Sequence, residues 1–284
     1  MRAAMPFRPL TPARAPFACG IAAHAFVEAR LSQLGPLRDQ PGPEGSPALP
    51  SRFLRHCDEQ TVVAVQAMLA AIAALPADRR DCSGHGVVAA SCQAGRLATA
   101  ASLAKLRTQG AVSVSPHIVP QCSLHSIAGA VSVALGMHGP NVGIGGGPDA
   151  VAEGLFAALS FLQPGGGADA AGVWLVVSDW VDEPTLDASG AAVGDPACRA
   201  LALCLEPAAT AALSLAVHLP DGPVLRPRTS ETHDPLGDFA RAVAMCATGG
   251  VLTSWTVECP WPAEIRLTRQ AVHAMHATIR REAA

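Results

Sequence analysis

The sequence predicts an α/β layered fold, and three observations carry that prediction. Short continuous apolar runs, notably Gly86–Ser91 and Gly172–Ser178, have the pattern of strands covered on both faces. Helix-length segments alternate with them along the chain, the arrangement that builds helices onto a sheet. Half of the 284 residues are hydrophobic, so a sizeable core is available. With 4% aromatic residues and no Tyr, that core must be made mainly of Ala, Val and Leu. The chain is read as a single domain, 1–284, with an N-terminal segment 1–18, a Pro-rich loop 33–52 and a divergent C-terminal part 221–284.

In chain order, the first 18 residues carry Arg2, Arg8 and Arg14 without an acid, and have no apolar run long enough for a signal peptide. Pro36, Pro41, Pro43, Pro47 and Pro50 make 33–52 an extended surface excursion. Cys57–Leu75 reads as an amphipathic helix. Asp58 and Glu59 suit its positive N-terminal end and Pro76 stops it. Gly86–Ser91 is a buried strand, and the helix Gly95–Gln109 ends at Gly110. Ser123–Leu135 is apolar or small all round and is expected to be a helix buried on most sides. Val142–Ile144 is a short strand and Asp149–Leu162 a mostly apolar helix. Gly165–Gly167 is a loop, Gly172–Ser178 a strand and Asp179–Asp195 a polar, acidic loop. Ala197–Glu206 and Ala208–Leu219 are two strand-like runs. Asp234–Ala247 is a helix, Ile265–Thr268 a strand and Ala271–Arg281 a helical tail.

Composition excludes several classes of function. The formal net charge is −3, Lys105 is the only lysine, and no basic stripe is interleaved with aromatics, so nucleic acid is not an expected partner. No window of about 18 apolar residues is unbroken, so no membrane span is expected. The nine cysteines are odd in number and follow no metal-ligand spacing. They read as free thiols of a reducing, cytoplasmic compartment. His273 and His276 lie three apart on the helical tail, but no Cys or carboxylate is placed to complete a metal set; no metal and no cofactor is expected. Gly143–Asp149 is Gly-rich, yet it lacks both the third Gly of a dinucleotide fingerprint and the Gly-Lys-Ser/Thr of a P-loop, and reads as a tight turn.

The densest pattern lies between Val114 and Leu155. Ser115–Pro116 and Val119–Pro120 precede the helix at Ser123–Leu135, which runs into Gly136-Met137-His138-Gly139-Pro140 and then Gly145-Gly146-Gly147-Pro148-Asp149. This frame resembles the core of the β-ketoacyl synthases, the thiolase-like condensing enzymes, and the resemblance extends from Arg52 to Pro220. It implies a thiolase-like layered fold corresponding to the family's N-terminal half. In the enzymes the acyl-carrying cysteine falls eight residues after the Pro of the Gly-x-x-Gly-Pro turn. Here that place is Pro148, with no Cys, Ser or Thr within two residues on either side. Pro has no N–H, so the residue at this place cannot contribute one to an oxyanion hole. The histidine and lysine motifs of the enzymes' second half are absent after Pro220.

The resemblance therefore implies a subunit without catalysis of its own, similar to the chain-length factors of polyketide, aryl-polyene or fatty-acid-type synthesis. Its implied partners are a ketosynthase, as a heterodimer, and through that complex an acyl carrier protein. Carried over by position, Ile118 is the residue that reaches across the interface into the partner's acyl tunnel, followed by Gln121, Cys122, Ser123, Leu124 and His125. Gly145, Gly146, Gly147 and Pro148 form the elbow. Side-chain bulk along this segment would then set product length, since overpacking by a few methylenes costs about 1–3 kcal/mol. Small Ser123, Ala128 and Ala130 imply room for a long product. Two other readings stand beside this one. Cys122 and His125, three apart and able to share a helix face, would serve a degenerate condensing or acyl-transfer enzyme. Alternatively, the chain is a structural homodimer.

Overall fold

The computed structural model describes residues 17–163, 171–207, 211–218, 234–249, 252–261 and 263–269. The elements are β1 (Ala18–Arg30), α1 (Leu34–Asp39), α2 (Glu59–Ala73), β2 (Gly86–Cys92), α3 (Arg96–Gln109), α4 (Ile118–Cys122), α5 (Ser126–Leu135), β3 (Asn141–Gly146), α6 (Ala150–Phe161), β4 (Val173–Trp180), β5 (Ala197–Pro207), β6 (Leu213–His218), α7 (Pro235–Thr248), β7 (Ser254–Glu258) and β8 (Glu264–Arg269). All eight strands join one sheet in the order β3-β2-β4-β5-β1-β6-β8-β7. β3, β2 and β4 are parallel to one another and every other neighbouring pair is antiparallel. The layered α/β expectation is therefore met.

The strand period of two divides the core cleanly. Val173, Leu175 and Val177 of β4, with Leu201, Leu203 and Leu205 of β5, face the layer of α6 and α7. Trp174, Val176 and Trp180, with Cys198, Ala200, Ala202 and Cys204, face the layer of α2 and α5. The second face is the thinner one, and Ala64, Ala67 and Ala71 of α2 are fully buried against it. Alanine opposite alanine lets helix and sheet approach closely, which is how a core poor in aromatics still packs.

Several sequence expectations shift. β1 was not anticipated, although it lies between β5 and β6 and pairs with both. β7, too, was not anticipated. The 33–52 excursion contains the helix α1. α2 is not amphipathic: even Gln60, Thr61 and Gln66 are buried. Its glutamines are paired, Gln60 Nε2 donating to Cys92 O (2.7 Å) and Gln66 Nε2 to Leu37 O and Gln40 O (both 3.1 Å). The helix expected over Ser123–Leu135 begins only at Ser126 (α5), and a separate short helix, α4, precedes it, the two parted by extended backbone at Ser123 (φ −80°, ψ 162°). α5 is also only half covered. Its buried residues are Ser126, Ile127, Ala128 and Val131, while Val133 is 75% exposed. Residues 165–167, the expected helical tail Ala271–Arg281, and with it His273 and His276, lie outside the described residues.

The C-terminal part, α7 to β8, is fastened to the sheet by a buried ion cluster. Arg199 of β5 donates through Nε to Asp179 Oδ1 (2.7 Å) and through Nη2 to Asp179 Oδ2 (3.1 Å). The same guanidinium pairs with Asp234, which caps α7 by accepting the Gly237 N–H (3.0 Å).

Candidate functional site

The elbow is built by the end of β3. β3 keeps its register with β2 to its last residue, Gly145 opposite Ser91 and Gly146 opposite Cys92, although these two glycines have φ of +90° and +109°, conformations that side-chain-bearing L-residues rarely adopt. The chain therefore turns sharply off the sheet edge into α6, Gln93 N–H closing on Gly146 O (3.4 Å) and Ala150 N–H on Gly147 O (3.2 Å). Pro148 is exposed at the outside of this turn. The site expected for a nucleophile is thus a strained strand-to-helix turn with a side chain that offers neither nucleophile nor N–H.

The Leu124–His125 end of the Ile118–His125 segment crosses β3 beside this turn. A Cβ placed on Gly143 of β3 would stand 2.1 Å from Leu124 O and 2.5 Å from His125 Cα, so only glycine permits this crossing. Leu124 overhangs the elbow, its Cδ2 3.6 Å from where a Cβ on Gly146 would be. Ile118, Gln121, Cys122 and Ser123 are half-buried, whereas Val119, Leu124 and His125 are exposed. Val119 stands 70% exposed.

Cys122 and His125 do not share a helix face. Cys122 ends α4, Ser123 is extended, and His125 precedes α5. Cys122 instead packs against the 93–96 turn, where a Cβ on Gly95 would meet its Cβ at 2.4 Å. Burial, reinforced by the nearby Asp58 carboxylate, pushes the Cys122 thiol up, away from the thiolate a nucleophile requires. Asp58, expected at the N-terminal end of α2, also makes a bridge to Gly95 that no sequence pattern marks. Its Oδ1 accepts the Thr61 N–H at the start of α2 and its Oδ2 the Gly95 N–H, both at 3.0 Å. One buried carboxylate thus joins α2 to the turn against which Cys122 packs. Its own pKa is raised, chiefly by burial.

β3 is the outermost strand on its side of the sheet and pairs only with β2 among the described residues. Its outer row of N–H and C=O groups forms no ladder there, a template for another strand. Beside it stand α5 and α4, with Val133 and Val119 exposed. The two best-formed cavities of the described residues, about 590 and 210 Å³, lie along residues 35–55 and not at the elbow. No three His, Cys, Asp or Glu side chains among the described residues are grouped to hold a metal. No helix among them is long and apolar enough to cross a membrane.

Residues 46–147 match the family described as β-ketoacyl synthase, N-terminal domain. No curated protein sequence matches the chain. Among solved structures, one similar chain comes from the ketosynthase ApeO in complex with its chain length factor ApeC from Xenorhabdus doucetiae. The likeness spans 89% of this chain and 99% of that chain at 18% identity, with a TM-score of 0.55. A second comes from the type II polyketide synthase complex of the ketosynthase AntDE with its acyl-carrier protein AntF, bound to the hexaketide. It spans 72% of this chain and 70% of that chain at 15% identity, with a TM-score of 0.51. Residues 46–147 thus resemble the N-terminal domain of the β-ketoacyl synthases, and the chain shares the thiolase-like fold of the ketosynthase structures.

Proposed function

We propose that this β-ketoacyl synthase-type chain is the non-catalytic, chain-length-factor-like member of a ketosynthase heterodimer. The observation that carries the reading is the pairing of an elbow that ends in Pro148 with an uncovered apolar flank. Glycines there hold the turn that would present a nucleophile, and no nucleophile is present. Next to it, a helix of small and aliphatic residues leaves Val133 in solvent and Gly129, Ala130, Ser132, Ala134 and Leu135 half-buried, beside an open strand edge. A helix of that composition is ordinarily buried, and here a second subunit would bury it. The similar Xenorhabdus doucetiae chain supports the reading, since it aligns over nearly its full length and belongs to a ketosynthase–chain length factor complex.

In this reading β3 pairs edge to edge with the partner, and Ile118, Gln121, Cys122, Ser123, Leu124 and His125 close the far end of the partner's acyl tunnel. The growing chain, delivered on an acyl carrier protein, extends until it meets these side chains. This chain contributes bulk and no reacting atom. The product belongs to the polyketide, aryl-polyene or fatty-acid-type class.

Co-expression of the untagged chain with the tagged ketosynthase encoded beside it, followed by affinity purification and native mass measurement, tests the proposal. A one-to-one complex is expected. A ketosynthase that purifies alone as its own homodimer overturns it. Acylation of Cys122 by an acyl thioester would replace it with the enzyme reading.

A further inference from the structure

The turn that leads into α2 gathers positive charge on a chain whose formal net charge is −3. Phe53 N–H closes on Pro50 O (3.0 Å), placing Ser51 and Arg52 at the centre of a turn. Arg52 has φ 61° and ψ 18°, where such turns ordinarily take Gly or Asn. Left-handed backbone is disfavoured for an L-residue, and strain of this kind concentrates at functional sites. Residues Phe53–His56 then form one 3-10 turn anchored by Leu54, which is 1% exposed, while Arg52 and Arg55 on either side of it are exposed.

Arg38 of α1 holds this turn in place. Its Nη1 donates to Leu54 O (2.8 Å) and Cys57 O (2.5 Å), and its Nη2 lies 3.9 Å from Glu59 Oε1. Arg38, Arg52 and Arg55 line a recess of about 210 Å³ with Gly35 and Asp39. Three arginines thus line the recess with one acid, Asp39, and Glu59 sits against Arg38. The Arg55 N–H donates to Arg52 O (3.1 Å), while the guanidinium groups of both have no hydrogen-bond or ion-pair partner among the described residues.

We infer that this recess binds the phosphoryl group of a small phosphorylated molecule. The guanidinium fork matches phosphate oxygens two at a time, and Arg38, already fixed, supplies a positive wall that loses little freedom on binding. Arg52 occupies left-handed backbone where glycine would be at ease, and its side chain supplies a charge that glycine lacks. The site is independent of the proposed subunit role.

The test is titration of the full chain with inorganic pyrophosphate, followed by calorimetry and thermal unfolding, with acetate, sulfate and phosphatidic-acid vesicles as parallel arms. Saturable one-site binding of pyrophosphate is expected. Arg52→Gly should raise the unfolding temperature by relieving the turn while weakening pyrophosphate binding at least tenfold. Arg55→Ala should weaken binding similarly with little change in unfolding temperature. The inference is overturned by any of three results: no saturable binding, wild-type binding in Arg52→Gly, or an equal response to acetate and sulfate. Vesicle binding without pyrophosphate binding overturns it too, because it assigns the charge to a lipid surface.

Discussion

α2 and α5 are both helices of small and aliphatic residues on the same side of the sheet, and their fates are opposite. α2 contains Glu, Thr and two Gln, yet nearly all of it is buried, its glutamines tied to Cys92, Leu37 and Gln40 carbonyls. α5 contains no charged residue, yet Val133 stands in solvent and only one face meets the core. Composition alone would reverse that ranking. What differs is the surroundings: α2 lies over β5, β1 and β4 at the centre of the sheet, whereas α5 lies over its β3 edge. Apolar surface left open at a sheet edge is a surface prepared for another molecule.

The largest effects should come from the centre. Arg199→Ala strands the Asp179 carboxylate, whose pKa burial already raises despite the guanidinium, and should cost about 3–5 kcal/mol by urea unfolding. Ile72→Ala on α2 should cost about 2–5 kcal/mol. Gly143→Val drives a side chain into Leu124 O. It should cost about 1–3 kcal/mol and reduce ketosynthase capture at least tenfold. Val133→Asp sharpens the contrast most. The isolated chain should keep its stability within about 0.5 kcal/mol, while affinity for the ketosynthase falls tenfold or more. If Val133→Asp destabilises the free chain as Ile72→Ala does, α5 is core and the comparison fails.

Two further outcomes are finer. Ile118→Ala should lengthen the product of the complex and Ile118→Trp shorten it, read by mass spectrometry. An unchanged profile in both removes Ile118 as the gate. The centre should also carry an alkaline limit. Burial pushes the thiols of Cys19, Cys198 and Cys204 from the ordinary 9.0 up to about 12. The folded state keeps these protons while the unfolded chain releases them. Their contribution to stability is therefore whole below pH 9 and is lost as pH rises from 9 toward about 12. Thermal unfolding measured across that interval should show a falling midpoint, and a flat one contradicts the assignment.

Much of the sheet was legible because β2, β4 and β5 are continuous apolar runs of strand length. β1 was not. Ala-Cys-Gly-Ile-Ala-Ala-His-Ala is made of small residues with little strand preference, and only its neighbours β5 and β6 make it a strand. The elbow was legible from its glycines and Pro148. The break between α4 and α5 was not, because Ser123 is unremarkable in sequence and its extended backbone follows from the crossing over Gly143. The Asp58–Gly95 bridge and the Asp179–Arg199–Asp234 cluster join residues far apart in the chain, and no local pattern marks them.

The most direct measurement is amide hydrogen exchange on the chain alone and with the co-expressed ketosynthase. The account predicts that 126–135 and 141–146 exchange readily in the free chain and become protected in the complex, while α2 is protected in both. Equal exchange of the two edge segments with and without the ketosynthase would contradict it.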